Sequence, residues 1–163
     1  MHIGNWLLWG FVATLVLTSL MAFSQQYNFT RMNIPFILGT IFTADRDKAK
    51  VTGFFVHVVN GWIFSFVHVA IFESLNFKSW YFGAFTGFLH GVIAMTVIVP
   101  ILPGIHPRMA SEFQTPAEIC QLEPPGFLGL HYGLRTPLSA ILAHVIYGII
   151  LGTFYSSNWL AKV

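Results

Sequence analysis

The segment Val51–Phe72 reads VTGFFVHVVNGWIFSFVHVAIF and contains no Asp, Glu, Lys or Arg. As a helix rising 1.5 Å per residue it is long enough to cross a hydrocarbon core of about 30 Å. Gly53, His57, Gly61 and Ser65 recur along it every fourth position. That spacing puts them on one face, where a second backbone can approach closely. The segment therefore reads as a membrane helix packed inside a bundle, with a histidine set between two glycines.

The rest of the chain repeats the pattern. Of 163 residues, 55% are hydrophobic and 9% charged, against about 25% charged in an ordinary soluble domain. Met1–Gln26, Tyr81–Pro107 and Thr136–Ala161 are also free of Asp, Glu, Lys and Arg. The expected spans are Trp6–Phe23, Val51–Phe72, Trp80–Leu102 and Pro137–Tyr155, in a single transmembrane domain covering residues 1–163. The first lacks the basic residues that precede a signal peptide's apolar region, and reads as a retained helix. Aromatic residues mark the span ends, namely Trp6, Trp9, Trp80, Tyr81, Tyr155 and Trp159. The fold class is all-α, a polytopic four-helix membrane bundle. A soluble enzyme and a nucleic-acid-binding module are excluded, since there is no basic patch to meet a phosphate backbone.

Basic residues gather in two connections. Arg31, Arg46, Lys48 and Lys50 lie in the first, Arg108 and Arg135 in the third, with Lys78 and Lys162 on the other side. The positive-inside rule places both long connections in the cytoplasm and both termini outside, in a bacterial inner membrane. Asn33-Ile34-Pro35 reads as the capped start of a short interfacial helix. The third connection, Pro103 to Thr136, is rich in proline and is expected to fold back on the bundle. The single cysteine, Cys120, excludes an intrachain disulfide.

The two halves, about 1–76 and 77–163, resemble each other. Gly10-Phe11 matches Gly87-Phe88 at an offset of 77, and Arg31-Met32 with Phe36 matches Arg108-Met109 with Phe113. At an offset of 87, Lys48 matches Arg135, His57 matches His144 and Gly61 matches Gly148. The pattern predicts a duplicated two-helix unit with its symmetry axis along the membrane normal. His57 and His144 are then expected at equal depth, facing each other across the axis.

Polar groups at membrane depth are costly and mark candidate sites. His57 and His144 are the candidate cofactor ligands, joined by His90, which residue counting places roughly 6 Å deeper. Asn60, Gly61, Tyr147 and Gly148 are the candidate supporting residues around them. Small residues beside facing imidazoles suit a haem b or another macrocycle held by two histidines, and three histidines suit a transition metal. Interhelical hydrogen bonding alone is the structural alternative. His68, near Glu73, is expected at the interface, and His106 and His131 read as loop histidines.

Gly53-Phe54-x-x-His57-x-x-Asn60-Gly61, Phe88-Leu89-His90-Gly91 and Leu142-Ala143-His144-x-x-Tyr147-Gly148 resemble a family of small bacterial four-helix membrane proteins. The resemblance implies the architecture and transfers no activity. No phosphate loop, metalloprotease pair or nucleophile elbow is present, and no Asp or Glu lies in a span interior. The functional expectation is a non-catalytic membrane subunit of a larger energy-converting or electron-transfer complex, partnered by the bilayer and by other subunits or copies of itself. A small homo-oligomeric transporter or channel is the alternative, and a metal-dependent membrane oxidase the third.

Overall fold

A computed structural model describes residues 2–110 and 122–155. Phe113, Cys120, Trp159 and Lys162 lie outside the described residues. The described chain is helical, with four helices long and apolar enough to cross a membrane. It is the four-helix bundle that the composition predicts.

Helix α1 is Ile3–Gln26. The short α2, Ile34–Thr40, starts at Asn33, whose side chain accepts from the Phe36 amide at 3.0 Å. Helix α3 runs Arg46–Ser74 and begins one turn before the apolar segment. The reason is local: Asp45 Oδ1 caps the amides of Asp47 and Lys48, both at 3.0 Å, so the charged turn is already helical. Helix α4 is Trp80–Ile93, followed by a π-helical segment, Ala94–Ile98, and by α5, Val99–Ile105. Together they form one span, Trp80–Ile105. Pro100 and Pro103 each remove a backbone donor, and the π segment absorbs the mismatch without breaking the rod. The return from the third connection is a 3₁₀ segment, Phe127–Tyr132, and α6 is Thr136–Phe154.

Among the four long helices the closest backbone approach is α4 on α6. A Cβ at Gly83 would strike the Gly148 carbonyl, and a Cβ at Gly148 would strike that of Gly83. Helix α1 lies against both α6 and α3, and α2 lies along the first turns of α3, where Gly53 sits beneath the Pro35 carbonyl. The fourth side of the bundle is different. There α3 and α4 meet through long side chains, with Phe72 and Phe82 ring centroids 5.7 Å apart and Phe64 and His90 4.4 Å apart. This wider seam leaves internal space that the glycine-lined seams do not.

The described parts of both connections turn back on the bundle. His106, fully buried, sits 2.9 Å from the Ile37 carbonyl through Nε2 and accepts from the Arg108 amide through Nδ1 at 3.1 Å. It therefore ties α2 to the end of α5. Tyr132 is buried and donates its hydroxyl to the Glu123 carbonyl. Burial, with the Glu123 charge adding to it, holds that hydroxyl above its ordinary pKa, so it stays a donor. At the opposite end Tyr155 is buried and donates to Glu73 at 2.8 Å, while Lys78 pairs with the same carboxylate at 3.0 Å. Tyr155 thus closes a polar cluster, whereas the Trp80 and Tyr81 rings at this end are exposed.

Candidate functional site

The wide seam holds a cavity of about 140 Å³. Its walls come from every long helix: Thr14 and Leu17 on α1, His57, Asn60 and Phe64 on α3, His90 on α4, Met95 in the π segment, and Ala140, His144 and Tyr147 on α6. Helix α2 closes one end with Pro35 and Ile37. All three histidines singled out from the sequence line this one space.

Their closest ring contact is not within the expected pair, although His57 and His144 both border the space. His90 and His144 are the rings in direct contact, centroids 4.6 Å apart and edge to face at 78°. His57 borders the cavity from α3, and among the described residues its ring makes no stacking contact with His144. Residue counting placed His90 deeper than His144 because it took the span ends as level. They are not level: the α5 end overshoots the α6 start, and the 3₁₀ segment packs into the step against α5, the π segment and α6. Gly91 brings the helices together here, its Cβ direction meeting His144 Cβ at 3.1 Å.

His68 belongs to the same cluster. It is buried, not interfacial, with its ring 5.5 Å from that of His90 and 5.6 Å from that of Tyr147. Its Nδ1 lies 3.0 Å from Thr86 Oγ1 and its Nε2 lies 3.4 Å from His90 Nδ1. The sequence carried a signal for this, since His68 continues the buried face of α3 through Gly61 and Ser65. Counting from the helix end hid it, because α3 reaches Ser74 and the outer polar cluster starts only at Glu73.

The supporting residues divide by role. Tyr147, almost fully buried, donates to the Gly61 carbonyl at 2.7 Å and so ties α6 to α3 beside the His90 ring. Asn60 faces the cavity. Gly61 gives room to the Thr14 side chain, and Gly148 to the α4 backbone. Both glycines set helix approach, and Gly61 also lines the cavity.

The cavity size weighs between ligands. An apolar cavity of about 150 Å³ holds a single benzene ring. A four-pyrrole macrocycle would need α3 and α4 to separate further. Among the described residues no three His, Cys, Asp or Glu side chains converge as a metal set. The fold and this cavity define a polytopic membrane protein with a histidine-lined, mainly apolar internal chamber. No protein-family model, curated protein or solved structure matches the chain.

Proposed function

We propose that the protein is a non-catalytic subunit of a larger membrane assembly, of the electron-transfer or energy-converting kind, and that it carries a ligand in the histidine chamber. The observation behind this is the contact of His90 with His144 at the wall of an apolar cavity, backed by His68 and Tyr147. Imidazoles held this way, with no Asp or Glu in the span interiors, suit holding a molecule more than transforming it. A haem or a single ion would use the same histidines. The chamber volume and the divergent side chains favour a smaller organic ligand. The motif resemblance to small bacterial four-helix membrane proteins is consistent with this reading.

The proposed location is the bacterial inner membrane, with both long connections cytoplasmic. Arg31, Arg46, Lys48, Lys50, Arg108 and Arg135 all lie in or beside those connections, while Lys78 at the other end is paired with Glu73.

Purification from native membranes in mild detergent tests the reading. Co-purifying subunits are identified by mass spectrometry, and the preparation is assayed by absorption spectrum, metal analysis and organic extraction. A defined set of partner subunits and a bound small molecule are expected. A homo-oligomer with neither would overturn the reading in favour of a transporter or channel.

A further inference from the structure

One set of imidazole protons satisfies every hydrogen bond around the chamber at once. His144 Nδ1 lies 2.7 Å from the Ala140 carbonyl, which only accepts, so this nitrogen holds the ring's proton. Thr86 Oγ1 donates to the Gly83 carbonyl at 3.1 Å, which leaves the hydroxyl to accept from His68 Nδ1. His68 Nε2 is then an acceptor, and His90 must donate to it from Nδ1. These assignments follow from the partners. In the neutral rings, Nε2 of both His90 and His144 is left with a bare lone pair.

Among the described residues no donor reaches either nitrogen. The Trp9 indole nitrogen is the one sealed side-chain nitrogen or oxygen there without a partner. Both Nε2 atoms therefore keep some exposure, and the open space they border is the chamber. Two acceptors in an apolar cavity cost free energy until a donor arrives. The cavity has room for one ring. It is also unsealed, since Ile98, part of its wall, is 37% exposed, and the α3–α4 seam has no close backbone approach.

We propose that the chamber binds the head of a membrane-soluble amphiphile: one ring bearing hydroxyl groups, of the hydroquinone type, on an aliphatic tail. The bare nitrogens of His90 and His144 accept the hydroxyl protons, and the tail leaves between α3 and α4 into the bilayer. A fatty-acid carboxylate fits poorly at these two nitrogens, where it meets acceptors with acceptors, and among the described residues no Lys or Arg lines the cavity to balance its charge; Asn60 and His57 are the neutral donors on the wall. A quinone with the same ring has carbonyls where the hydroquinone has hydroxyls, and meets the same mismatch at the two bare nitrogens.

This rests on the reading of the chamber as a ligand site. The test uses the purified full chain in detergent, titrated by calorimetry with decylhydroquinone under reducing, anaerobic conditions. Decylquinone, dodecanol and a decyl-substituted saturated cyclic alcohol are the comparison probes. Saturable binding of the hydroquinone, at least about 10-fold tighter than the quinone, is expected, since sites built on hydrogen bonds reject analogues lacking them. His144→Phe keeps the ring volume, removes the acceptor and weakens binding at least about 10-fold. Leu17→Trp fills the cavity with the histidines untouched and abolishes binding. The probe comparison on the unaltered chain needs no variant to fold. Equal affinity for quinone and hydroquinone overturns the proposal, as does tighter binding of dodecanol. Tighter binding of the saturated cyclic alcohol replaces the aromatic ring by an aliphatic one and overturns the hydroquinone assignment. A metal or pigment retained on His90 and His144 overturns it while leaving the ligand-carrying reading intact. No saturable binding and no retained ligand sinks both.

Discussion

Arg31 and Arg108 are reciprocal, each sending its guanidinium into the connection of the other half. Arg108 Nη1 donates to the carbonyls of Thr40 at 2.7 Å and Ile41 at 3.1 Å, at the end of α2. Arg31 Nη2 donates to the His131 carbonyl at 2.6 Å, at the end of the 3₁₀ segment. The methionine after each, Met32 and Met109, is buried in the core. A two-fold relation between helix pairs requires this kind of exchange. The relation is incomplete in two places. Gly10 meets Ser65, yet Gly87 meets His144 and Gly148, one turn short of the Gly152 that an offset of 87 would pair with it. Helix α1 also packs closely on α6, whereas α3 and α4 stand apart. The chamber occupies the seam where the symmetry fails.

The two arginines differ in burial, so their loss should differ in cost. Arg108 is half-buried and satisfies two helix-end carbonyls, and hydrogen bonds to a charged group are worth about 1.5–3 kcal/mol. Arg108→Ala should lower stability by about that amount. The Arg31 side chain is 67% exposed and shared with Glu123 at 3.2 Å, so Arg31→Ala should cost less than about 1 kcal/mol. Thermal unfolding in one detergent, followed by tryptophan fluorescence, ranks the pair. A larger loss at Arg31 would contradict the assignment.

The glycine seam makes a sharper contrast. Gly83→Ala and Gly148→Ala each drive a methyl into a facing backbone carbonyl, which cannot rotate away. Overpacking of this kind costs about 1–3 kcal/mol, and the rigid partner puts these at the upper end or beyond. Gly104→Ala has nothing within 4 Å of its new carbon and should be neutral. The midpoint of thermal aggregation measured by size exclusion separates the three variants.

The span positions were legible because hydropathy and helix length are local properties. The caps at Asn33 and the glycine faces were legible for the same reason, as spacing along one helix determines them. The partner of His144 was not. Pairing depends on the vertical offset between helices, and that offset is set by the α5 overshoot and the folded-back 3₁₀ segment, neither of which is periodic. The burial of Tyr155 was hidden for a similar reason. A tyrosine at a span end reads as a headgroup anchor, and the nearby Glu73, Lys78, His2 and Asn5 draw it inward.

His106 should be a structural latch. Its buried ring connects the Ile37 carbonyl and Thr40 hydroxyl of α2 to the Arg108 amide. His106→Ala takes the acceptor from the Arg108 amide, at about 1–3 kcal/mol for a polar group left unsatisfied, while the Ile37 carbonyl keeps the Thr40 hydroxyl as donor. The expected sign is selective: amide hydrogen exchange should speed up over α2 and the α5 end, with the α4–α6 pair unchanged. Uniform acceleration across all helices would refute a local role.

The tautomer chain makes a prediction independent of any ligand. His68, His90 and His144 should all carry the proton on Nδ1, giving protonated-type ¹⁵N shifts there and acceptor-type shifts at Nε2. Solid-state NMR of ¹⁵N-histidine-labelled protein reads this directly. Thr86→Val keeps the side-chain shape but removes the hydroxyl that orients His68 Nδ1. His68 is then released to turn its proton to Nε2, and His90 must become the acceptor at Nδ1 and bear its proton at Nε2. His144 should not respond, because the Ala140 carbonyl holds it separately. The mutation therefore converts one of the two bare nitrogens of the chamber into a donor without altering a residue that lines it. If His90 keeps its Nδ1 proton in Thr86→Val, the hydrogen-bond chain from Thr86 does not set the proton position at the chamber wall.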